Sequence, residues 1–302
     1  MLCANPMVID GKAFGCGQCL PCRINKRRVW AERILLESLC HGDNSFVTLT
    51  YRDSEVPIDE FGQMVLVPEH CTKWLKRLRK EIAPRKVRYF LVGEYGTKSS
   101  RPHYHCALFG YPRCYRGIPR YTREGELVPC GTGCVCLQVY RTWGKGRVSL
   151  DDLSRESAGY IAGYTVKKMT AKDDHRLNGR PPEYARMSLR PGIGFNFMHE
   201  VASGLLEHDL HEKQIDVPST LRHGKYERPI GRYLQRSLRK LVGKEENAPK
   251  EVLDQIEAEL SLLRETAFNN ARSFAKEIAD AAKGKRARLE SRAKIFKKRE
   301  KL

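Results

Sequence analysis

Apolar residues recur every third or fourth position in two segments of the N-terminal third, a spacing that places them on one face of a helix. The pattern predicts helices over residues 23–39 and 67–84, and Pro84 ends the second. The apolar stripes consist of Ala31, Ile34, Leu35 and Leu39 in the first helix and of Cys71, Leu75, Leu78 and Ile82 in the second. Each helix therefore has one face to bury against another element.

Three segments rich in β-branched and aromatic residues predict strands. They are "SFVTLTYRD" (45–53), "KVRYFLVGEY" (86–95) and "HYHCALFGY" (103–111). The turn-rich stretch "GTKSSRP" joins the last two, so we expect them to form an antiparallel hairpin. We therefore predict an α+β fold, in which helices pack on a central antiparallel sheet of about five strands.

The rest of the chain is less regular. Residues 1–22 and 112–137 are rich in cysteine, and a helix is predicted over about residues 150–169. Residues 170–232 are expected to be rich in loops, and the charged segment from about residue 248 to the end is expected to be helical. The predicted regions are a cysteine-rich segment (1–22), a main domain (23–240) with an insertion (112–137), and a charged helical extension (241–302).

Charge narrows the class of partner. The 302 residues include 55 Lys and Arg against 36 Asp and Glu, a formal charge of +19, which favours binding to polyanions such as nucleic acid. The basic residues predicted to contact DNA are Arg23, Lys26, Arg27, Arg28 and Arg101. No apolar run is long enough for a membrane span and the start lacks the form of a signal peptide. We expect a cytoplasmic protein without a membrane partner.

The motif "HYH" places His103 and His105 on the same face of a strand, because alternate side chains of a strand point the same way. A hairpin that closes over residues 97–101 brings Glu94 beside them. Two imidazoles and one carboxylate leave positions open on a divalent cation, which we expect to be Mg²⁺ or Mn²⁺. The alternative interpretation is a pair of half-buried histidines and a solvated charge at a strand end.

Two tyrosines follow at helical spacing in "ESAGYIAGYTVKKM". Tyr160 and Tyr164 are four residues apart and project from one face of a helix, and Lys167 and Lys168 follow one turn later. A phenol is a poor nucleophile at neutral pH unless nearby cations stabilise the phenolate. The pair is therefore a candidate for nucleophilic catalysis with lysine assistance. The alternative is an aromatic stripe packed in the core.

The chain has 11 cysteines. Cys16, Cys19 and Cys22 have the spacing C-x-x-C-x-x-C, and with Cys3 they form a candidate structural zinc site. An iron–sulfur site and reduced thiols are the alternatives. A second candidate zinc site has less regular spacing and consists of Cys114, Cys130, Cys134 and Cys136. Cys40, Cys71 and Cys106 are interpreted as small core residues.

Taken in order, "FVTLTY", "GEYGTKSSRPHYHCALFG" and "YIAGYTVKK" resemble the motifs of the HUH endonuclease superfamily. The stretches "CGQCLPCRINKRRVWAERILLE", "TWGKGRVSLDDLSRESAGYIAGYTVKK" and "MSLRPGIG" narrow the resemblance. They are similar to the replication initiation proteins of gokushovirus-like microviruses, which are small single-stranded-DNA phages. The resemblance covers residues 3–235 and implies the HUH endonuclease fold.

The resemblance implies an enzyme that nicks one DNA strand at a replication origin and later rejoins it. His103, His105 and Glu94 would hold the metal, while Tyr160 and Tyr164 would form a 5′-phosphotyrosine in turn. A polymerase of the bacterial host would extend the free 3′ end in rolling-circle replication. The sequence has no G-x-x-x-x-G-K-[ST] loop, so a host helicase would be needed as a partner.

Three rival interpretations remain open at this point. A plasmid initiator, relaxase or transposase would use the same chemistry. A non-catalytic single-stranded DNA binding protein would use the sheet as a stacking platform and would need neither tyrosine. A metal-dependent hydrolase would release free ends and leave no DNA attached to the protein.

Overall fold

The computed structural model of the chain describes residues 2–96, 99–116, 119–164 and 175–299, with side chains as far as residue 293. The predicted Lys167 and Lys168 lie outside the described residues. The chain forms two compact units. One comprises residues 30–200, and the other combines residues 1–29 with residues 201–302. The region boundaries predicted from the sequence stay predictions.

Eleven strands occur in the described part of the chain. They are β1 (Met7–Ile9), β2 (Lys12–Phe14), β3 (Asn44–Thr50), β4 (Arg88–Tyr95), β5 (Pro102–Phe109), β6 (Arg120–Tyr121), β7 (Leu127–Val128), β8 (Val148–Asp152), β9 (Tyr184–Met187), β10 (Thr220–His223) and β11 (Tyr226–Pro229).

Ten α-helices accompany these strands in the same described ranges. They are α1 (Leu20–Leu39), α2 (Pro68–Glu81), α3 (Val135–Trp143), α4 (Arg155–Tyr164), α5 (Phe197–Glu207), α6 (Leu210–Lys213), α7 (Gly231–Leu241), α8 (Lys250–Asn269), α9 (Phe274–Ala281) and α10 (Lys283–Arg299). None of them is long and apolar enough to cross a membrane.

A five-stranded antiparallel sheet forms the centre of the unit of residues 30–200. Its strand order is β8-β3-β5-β4-β9, so the predicted hairpin of β4 and β5 lies in the middle. The predicted α+β fold with about five antiparallel strands is therefore confirmed. The hairpin register pairs Glu94 with His103, as the turn length indicated.

The two faces of the sheet bury different side chains. On one face Leu91, Tyr104 and Cys106 pack with Trp74 of α2 and Trp143 of α3. On the other face aromatic and aliphatic residues of β3, β4 and β5 pack with α1 and α4, namely Phe46, Phe90, Val92, Ala107, Phe109, Ile34, Ala158 and Ile161. Period-two alternation along β5 gives the second face His103 and His105 as well as Ala107 and Phe109. The metal motif thus lies on the face covered by α1 and α4.

The prediction of one helix over residues 150–169 was wrong at its start. Residues Val148–Asp152 form the edge strand β8, which pairs with β3, and α4 begins only at Arg155. The segment "VSLDD" has alternating buried and partly exposed residues, and pairing with a distant strand decides its conformation. The part of the prediction that falls on residues 165–169 lies outside the described residues.

Two segments hold more regular structure than the sequence pattern predicted. The insertion 112–137 contains the short hairpin of β6 and β7 and the first turn of α3. Residues 170–232 contain β9, which completes the central sheet beside β4, together with α5 and the hairpin of β10 and β11. These elements were missed because each is short and gains its partner from elsewhere in the chain. The predicted helical C-terminal segment is confirmed by α8, α9 and α10.

Candidate metal and nucleophile site

The central hairpin brings Glu94, His103 and His105 together. One ligand atom from each lies within 4.8 Å of the others. Oε1 of Glu94 is 2.7 Å from Nε2 of His103 and 3.3 Å from Nε2 of His105. The three side chains thus point their ligand atoms at a common point, as the sequence predicted. Two imidazole nitrogens and one carboxylate oxygen fit a divalent cation that keeps open coordination positions.

Hydrogen bonds outside this group fix the orientation of both imidazoles. Nδ1 of His103 is 3.1 Å from the carbonyl oxygen of Arg101, and Nδ1 of His105 is 3.0 Å from Oγ1 of Thr48. A proton on each Nδ1 donates to these oxygens, which leaves each Nε2 lone pair directed toward Glu94. This is the second layer of hydrogen bonds that metal-binding histidines ordinarily have.

Burial distinguishes this group from an ordinary surface cluster. The side chains of Glu94 and His105 are 4% and 8% exposed, whereas that of His103 is 21% exposed. A carboxylate removed from water needs compensating charge or hydrogen bonds. The alternative of a solvated charge at a strand end is therefore wrong for Glu94. The site opens to solvent on the side of His103.

Helix α4 places both tyrosines against His105. The ring centroid of His105 lies 5.3 Å from that of Tyr160 and 5.5 Å from that of Tyr164. The two tyrosine rings are themselves 4.8 Å apart and nearly perpendicular. The small residues Ala158 and Ala162 are fully buried on this helix, which lets it approach the sheet closely. The predicted metal ligands and the predicted nucleophiles thus form one site.

The two tyrosines differ in environment. Tyr160 is 48% exposed, whereas Tyr164 is 7% exposed. Burial above all, followed by the hydrogen bond to Tyr160 and the negative charge of Glu94, raises the pKa of Tyr164 above its ordinary range. Its phenol also hydrogen-bonds Glu94, so Tyr164 is a protonated donor beside the ligand group. The simple interpretation of both tyrosines as core aromatics does not fit the exposure of Tyr160.

The residues predicted to contact DNA have different environments. Lys26, Arg27 and Arg28 are exposed on α1, and Arg28 donates to the carbonyl oxygen of Glu227. Arg23 is only partly exposed. Arg101 donates to the carbonyl oxygen of Tyr51 and forms an ion pair of 2.7 Å with Asp53. Arg101 therefore fastens the turn before His103 to the end of β3.

The two cysteine sets are gathered to different degrees. The Sγ atoms of Cys3, Cys16, Cys19 and Cys22 all lie within 4.8 Å of one another. In the second set, Cys130 Sγ lies 3.9 Å from Cys114 Sγ and 3.2 Å from Cys134 Sγ, and Cys136 is hydrogen-bonded to Cys114. The second set does not meet the same 4.8 Å limit as a group. Zinc binding by the second set stays a prediction.

Thr48 is a site residue that the sequence analysis missed. It lies directly opposite His105 in the pairing of β3 with β5, on the same face of the sheet. Its only signal in the sequence is a position in the strand "FVTLTY", because the register between strands so far apart in sequence cannot be read from the chain. Phe46, two residues earlier, stacks on His105 with centroids 5.4 Å apart and was also missed.

Comparison with known proteins points to the replication proteins of small phages. Residues 44–169, which include all three ligand residues and both tyrosines, match the model of the replication-associated protein ORF2 family. The chain is 34% identical over 217 residues to the replication-associated protein ORF2 of Spiroplasma virus 4, which covers 68% of this chain and 63% of the relative. No solved structure matches the chain.

Two further relatives come from other phages. The replication-associated protein VP4 of Bdellovibrio phage phiMH2K is 30% identical over 172 residues, or 56% of this chain and 53% of the relative. The replication-associated protein ORF4 of Chlamydia phage 1 is 26% identical over 240 residues, or 76% of this chain and 54% of the relative. The chain thus spans between half and two thirds of the length of these curated relatives.

These matches define the class as a phage replication-associated protein. The chain belongs to the replication-associated protein ORF2 family, and its homologues are replication-associated proteins of Spiroplasma, Bdellovibrio and Chlamydia phages. The resemblance to microvirus replication proteins that was drawn from the sequence is therefore confirmed.

Proposed function

We propose that the protein is a site-specific single-stranded DNA endonuclease and strand-joining enzyme of the HUH type. It would nick the origin of a phage genome through a 5′-phosphotyrosine intermediate and so initiate rolling-circle replication. The observation that carries this proposal is the meeting of two tyrosines with a Glu-His-His group. Both tyrosine rings lie within 5.5 Å of the His105 ring, between centroids.

The ligand group fits a single Mg²⁺ or Mn²⁺ ion. Glu94 supplies a hard oxygen, and the imidazoles of His103 and His105 favour Mn²⁺ somewhat. Arg101 and Thr48 already hold both imidazoles in the orientation that directs Nε2 toward Glu94. When bound, the cation would act as a Lewis acid that polarises an oxygen of the scissile phosphate.

The chain's own residues account for the rest of the reaction. The phenol oxygen of a tyrosine forms a bond to phosphorus while the bond from phosphorus to the 3′ oxygen breaks. The phenol loses its proton and the 3′ oxygen gains one, which leaves a 3′ hydroxyl and a 5′-phosphotyrosine. One phosphodiester replaces another, so no ATP is consumed. Lys167 and Lys168, predicted from the sequence to stabilise the phenolate, complete the proposed assignment.

A second tyrosine allows two successive cleavages. After a polymerase has extended the 3′ hydroxyl, the second phenol can attack the regenerated origin. The new 3′ hydroxyl then attacks the first phosphotyrosine, which releases the tyrosine and closes a circle. Tyr160 and Tyr164 are both adjacent to His105, so a single ligand group serves both cleavages. Host helicase and polymerase would be the partners, in the cytoplasm of a bacterial cell.

The proposal is tested with labelled single strands that tile the origin of the phage genome, incubated with the protein and Mn²⁺ and separated on a denaturing gel. We expect a label shifted to protein mass. The shifted label should disappear in the double variant Tyr160→Phe/Tyr164→Phe and in His103→Ala. Tyr115→Phe is the matched control, because Tyr115 is an 82% exposed tyrosine outside the site.

Each rival function predicts a different gel. DNA binding without an adduct on any origin fragment would overturn the proposal in favour of a non-catalytic binder. Free cleaved ends with no label on the protein would favour a metal-dependent hydrolase. An adduct that forms on plasmid or transposon ends but on no phage origin fragment would retain the chemistry and overturn the proposed substrate.

A further inference from the structure

We propose that Cys3, Cys16, Cys19 and Cys22 bind one Zn²⁺ ion as four thiolates, and that this ion holds residues 2–22 folded. The site is separate from the Glu94-His103-His105 group and does not depend on the proposed nicking reaction. Its ligands come from two parts of the chain, with Cys3 preceding the hairpin of β1 and β2, and Cys22 lying in the first turn of α1.

The sulfur geometry fits a single tetrahedral ion. A Zn–S bond of about 2.3 Å implies sulfurs about 3.8 Å apart at the corners of a tetrahedron. The Sγ atoms of Cys3 and Cys19 are 3.8 Å apart, and all four Sγ atoms lie within 4.8 Å of one another. A disulfide needs a separation near 2.05 Å, and all four cysteines are unpaired with each other covalently.

Backbone amides already point at these sulfurs. The amide of Ala4 donates to Cys19 Sγ at 3.4 Å, that of Cys16 to Cys3 Sγ at 3.2 Å, and that of Cys19 to Cys16 Sγ at 3.3 Å. An N–H donor stabilises a thiolate more than a thiol, because the thiolate carries the negative charge. Such donors around the ligands are the outer layer that orients and tunes a metal site.

Two glycines allow the sulfurs to converge. Gly17 lies between Cys16 and Cys19 with a φ of +72°, in the left-handed region that glycine adopts without penalty. At Gly15, a Cβ atom would lie 3.2 Å from Cys22 Sγ, which is tighter than ordinary contact. The turn that gathers the cysteines therefore depends on glycine at both positions.

The segment has little else to hold it folded. Among residues 2–22, only Cys3, Pro6 and Pro21 are buried. Most of the large apolar side chains of the hairpin, including Met7, Val8, Ile9 and Phe14, are exposed. An isolated two-stranded hairpin is marginally stable in water, and small elements without a core are usually stabilised by a metal or a disulfide. A bound ion would supply that stabilisation, since binding energy and folding energy are coupled in such sites.

The donor set selects the metal. Four soft thiolates favour Zn²⁺ over the hard cations that suit the Glu94-His103-His105 group. An iron–sulfur cluster would place iron and sulfide ions between its cysteines and so hold their sulfurs farther apart than a single ion does. The observed spacing therefore favours one ion over a cluster.

The test compares the zinc content of the purified full chain with that of the double variant Cys16→Ser/Cys19→Ser. We expect the double variant to lose one zinc per chain by elemental analysis. The matched control is Cys40→Ser, because Cys40 is exposed and belongs to neither cysteine set. We also expect amide hydrogen exchange in residues 2–22 to become about tenfold faster or more in the double variant, with strands β4 and β5 unchanged.

Three outcomes would overturn the proposal. One is a zinc content that the double variant does not change, another is iron together with acid-labile sulfide, and the third is unchanged exchange in residues 2–22 after loss of the metal. A measurement on the unmutated chain protects the test against misfolding of the variant. Apo protein titrated with Co²⁺ should develop the visible absorption of a tetrahedral cobalt thiolate, and its absence would contradict the proposed ligands.

Discussion

The ring of Tyr164 lies stacked on the imidazole of His105, with centroids 5.5 Å apart and ring planes within 15° of parallel. Tyr160 approaches the same imidazole edge-on, at 5.3 Å and 80°. Spacing of four residues on α4 thus gives the two tyrosines different contacts with one predicted metal ligand. Tyr164 is covered and hydrogen-bonded to Glu94, whereas Tyr160 faces solvent.

This asymmetry predicts that Tyr160 makes the first cleavage. Tyr160→Phe should lower the rate of adduct formation on an origin strand by about 10³-fold or more, because phenylalanine has no nucleophilic oxygen. Tyr164→Phe should retain the first adduct and lose the second cleavage, which is needed to release a closed circle. Single-turnover assays with labelled DNA measure both steps. Loss of the first adduct in Tyr164→Phe alone would reverse the assignment.

Thr48 is predicted to position His105 rather than to touch DNA or metal. Thr48→Val removes the hydroxyl that accepts from Nδ1 of His105 and keeps the shape of the side chain. The affinity for Mn²⁺ should weaken about tenfold, the usual cost of losing such an outer hydrogen bond. Calorimetric titration of Mn²⁺ measures this change directly, without DNA.

The control for Thr48 lies on the same strand. Thr50→Val loses a hydroxyl that bonds the carbonyl oxygen of Arg147 instead of a histidine. Its Mn²⁺ affinity should stay within about twofold of the unmutated chain, since ordinary variation among surface changes is of that size. Equal weakening in both variants would mean that the strand as a whole, and not the Thr48 hydrogen bond, supports the site.

The sequence predicted those parts of the site that depend on short-range geometry. Glu94 and His103 are joined by a tight turn, so alternation along two strands and the length of the turn together specify their pairing. Tyr160 and Tyr164 share a helix face because of their spacing alone. In each case the relationship lies within one hairpin or one helix, where local rules apply.

Long-range pairing set the features that the sequence did not predict. Strand β8 pairs with β3, whose residues lie about a hundred positions earlier in the chain, so "VSLDD" was interpreted as part of a helix. Thr48 faces His105 only through the register between β3 and β5. The edge strand β9 likewise depends on β4 for its pairing. No local pattern determines which distant strand a segment joins.

Gly146 is predicted to be a position where any side chain is costly. Its φ of +152° belongs to a region that only glycine adopts readily, and an added Cβ would lie 2.4 Å from the backbone nitrogen of Arg52 and the backbone oxygen of Thr50. Gly146→Ala should lower the free energy of unfolding by about 3 kcal/mol, through backbone strain and overpacking together. Chemical denaturation of the full chain measures the loss.

A second glycine separates the two causes. Gly125 also has a positive φ, +88°, but an added Cβ there meets nothing within 4 Å. Gly125→Ala should therefore cost only the backbone penalty of about 1 kcal/mol. The excess loss in Gly146→Ala then reports the close approach of the segment before β8 to the end of β3. Equal losses in both variants would contradict that interpretation.

Glu37 is a buried carboxylate whose ionisation should stabilise the fold. Its oxygens accept hydrogen bonds from the Arg88 guanidinium and from the amide of Gly194 at 2.7 Å, and the His41 imidazole lies 3.3 Å away. Burial alone would raise the pKa of Glu37, but the hydrogen bonds to His41 and Gly194 and the charge of Arg88 outweigh it. The net result is a lowered pKa.

The direction of this shift determines the effect of pH. Because the folded pKa is below the unfolded value of about 4.3, the contribution of Glu37 is fully present above that pH and is lost as pH falls through the folded pKa. At pH 7, Glu37→Gln should cost about 3 kcal/mol, since Arg88 loses its charged partner. That cost should shrink as the pH falls below about 4.3, because protonation then removes the same charge from the unmutated chain.

Denaturant titrations of both chains between pH 7 and acid measure this difference. The control is Glu60→Gln, because Glu60 is exposed and its substitution should leave the free energy of unfolding within about 0.5 kcal/mol at every pH. A Glu37→Gln cost that stays constant as the pH falls would show that shape and hydrogen bonding at this position matter and its charge does not. A cost that grows with acidity would mean that the carboxyl is stabilised in its protonated form, opposite to the direction expected from its contacts with Arg88, His41 and Gly194.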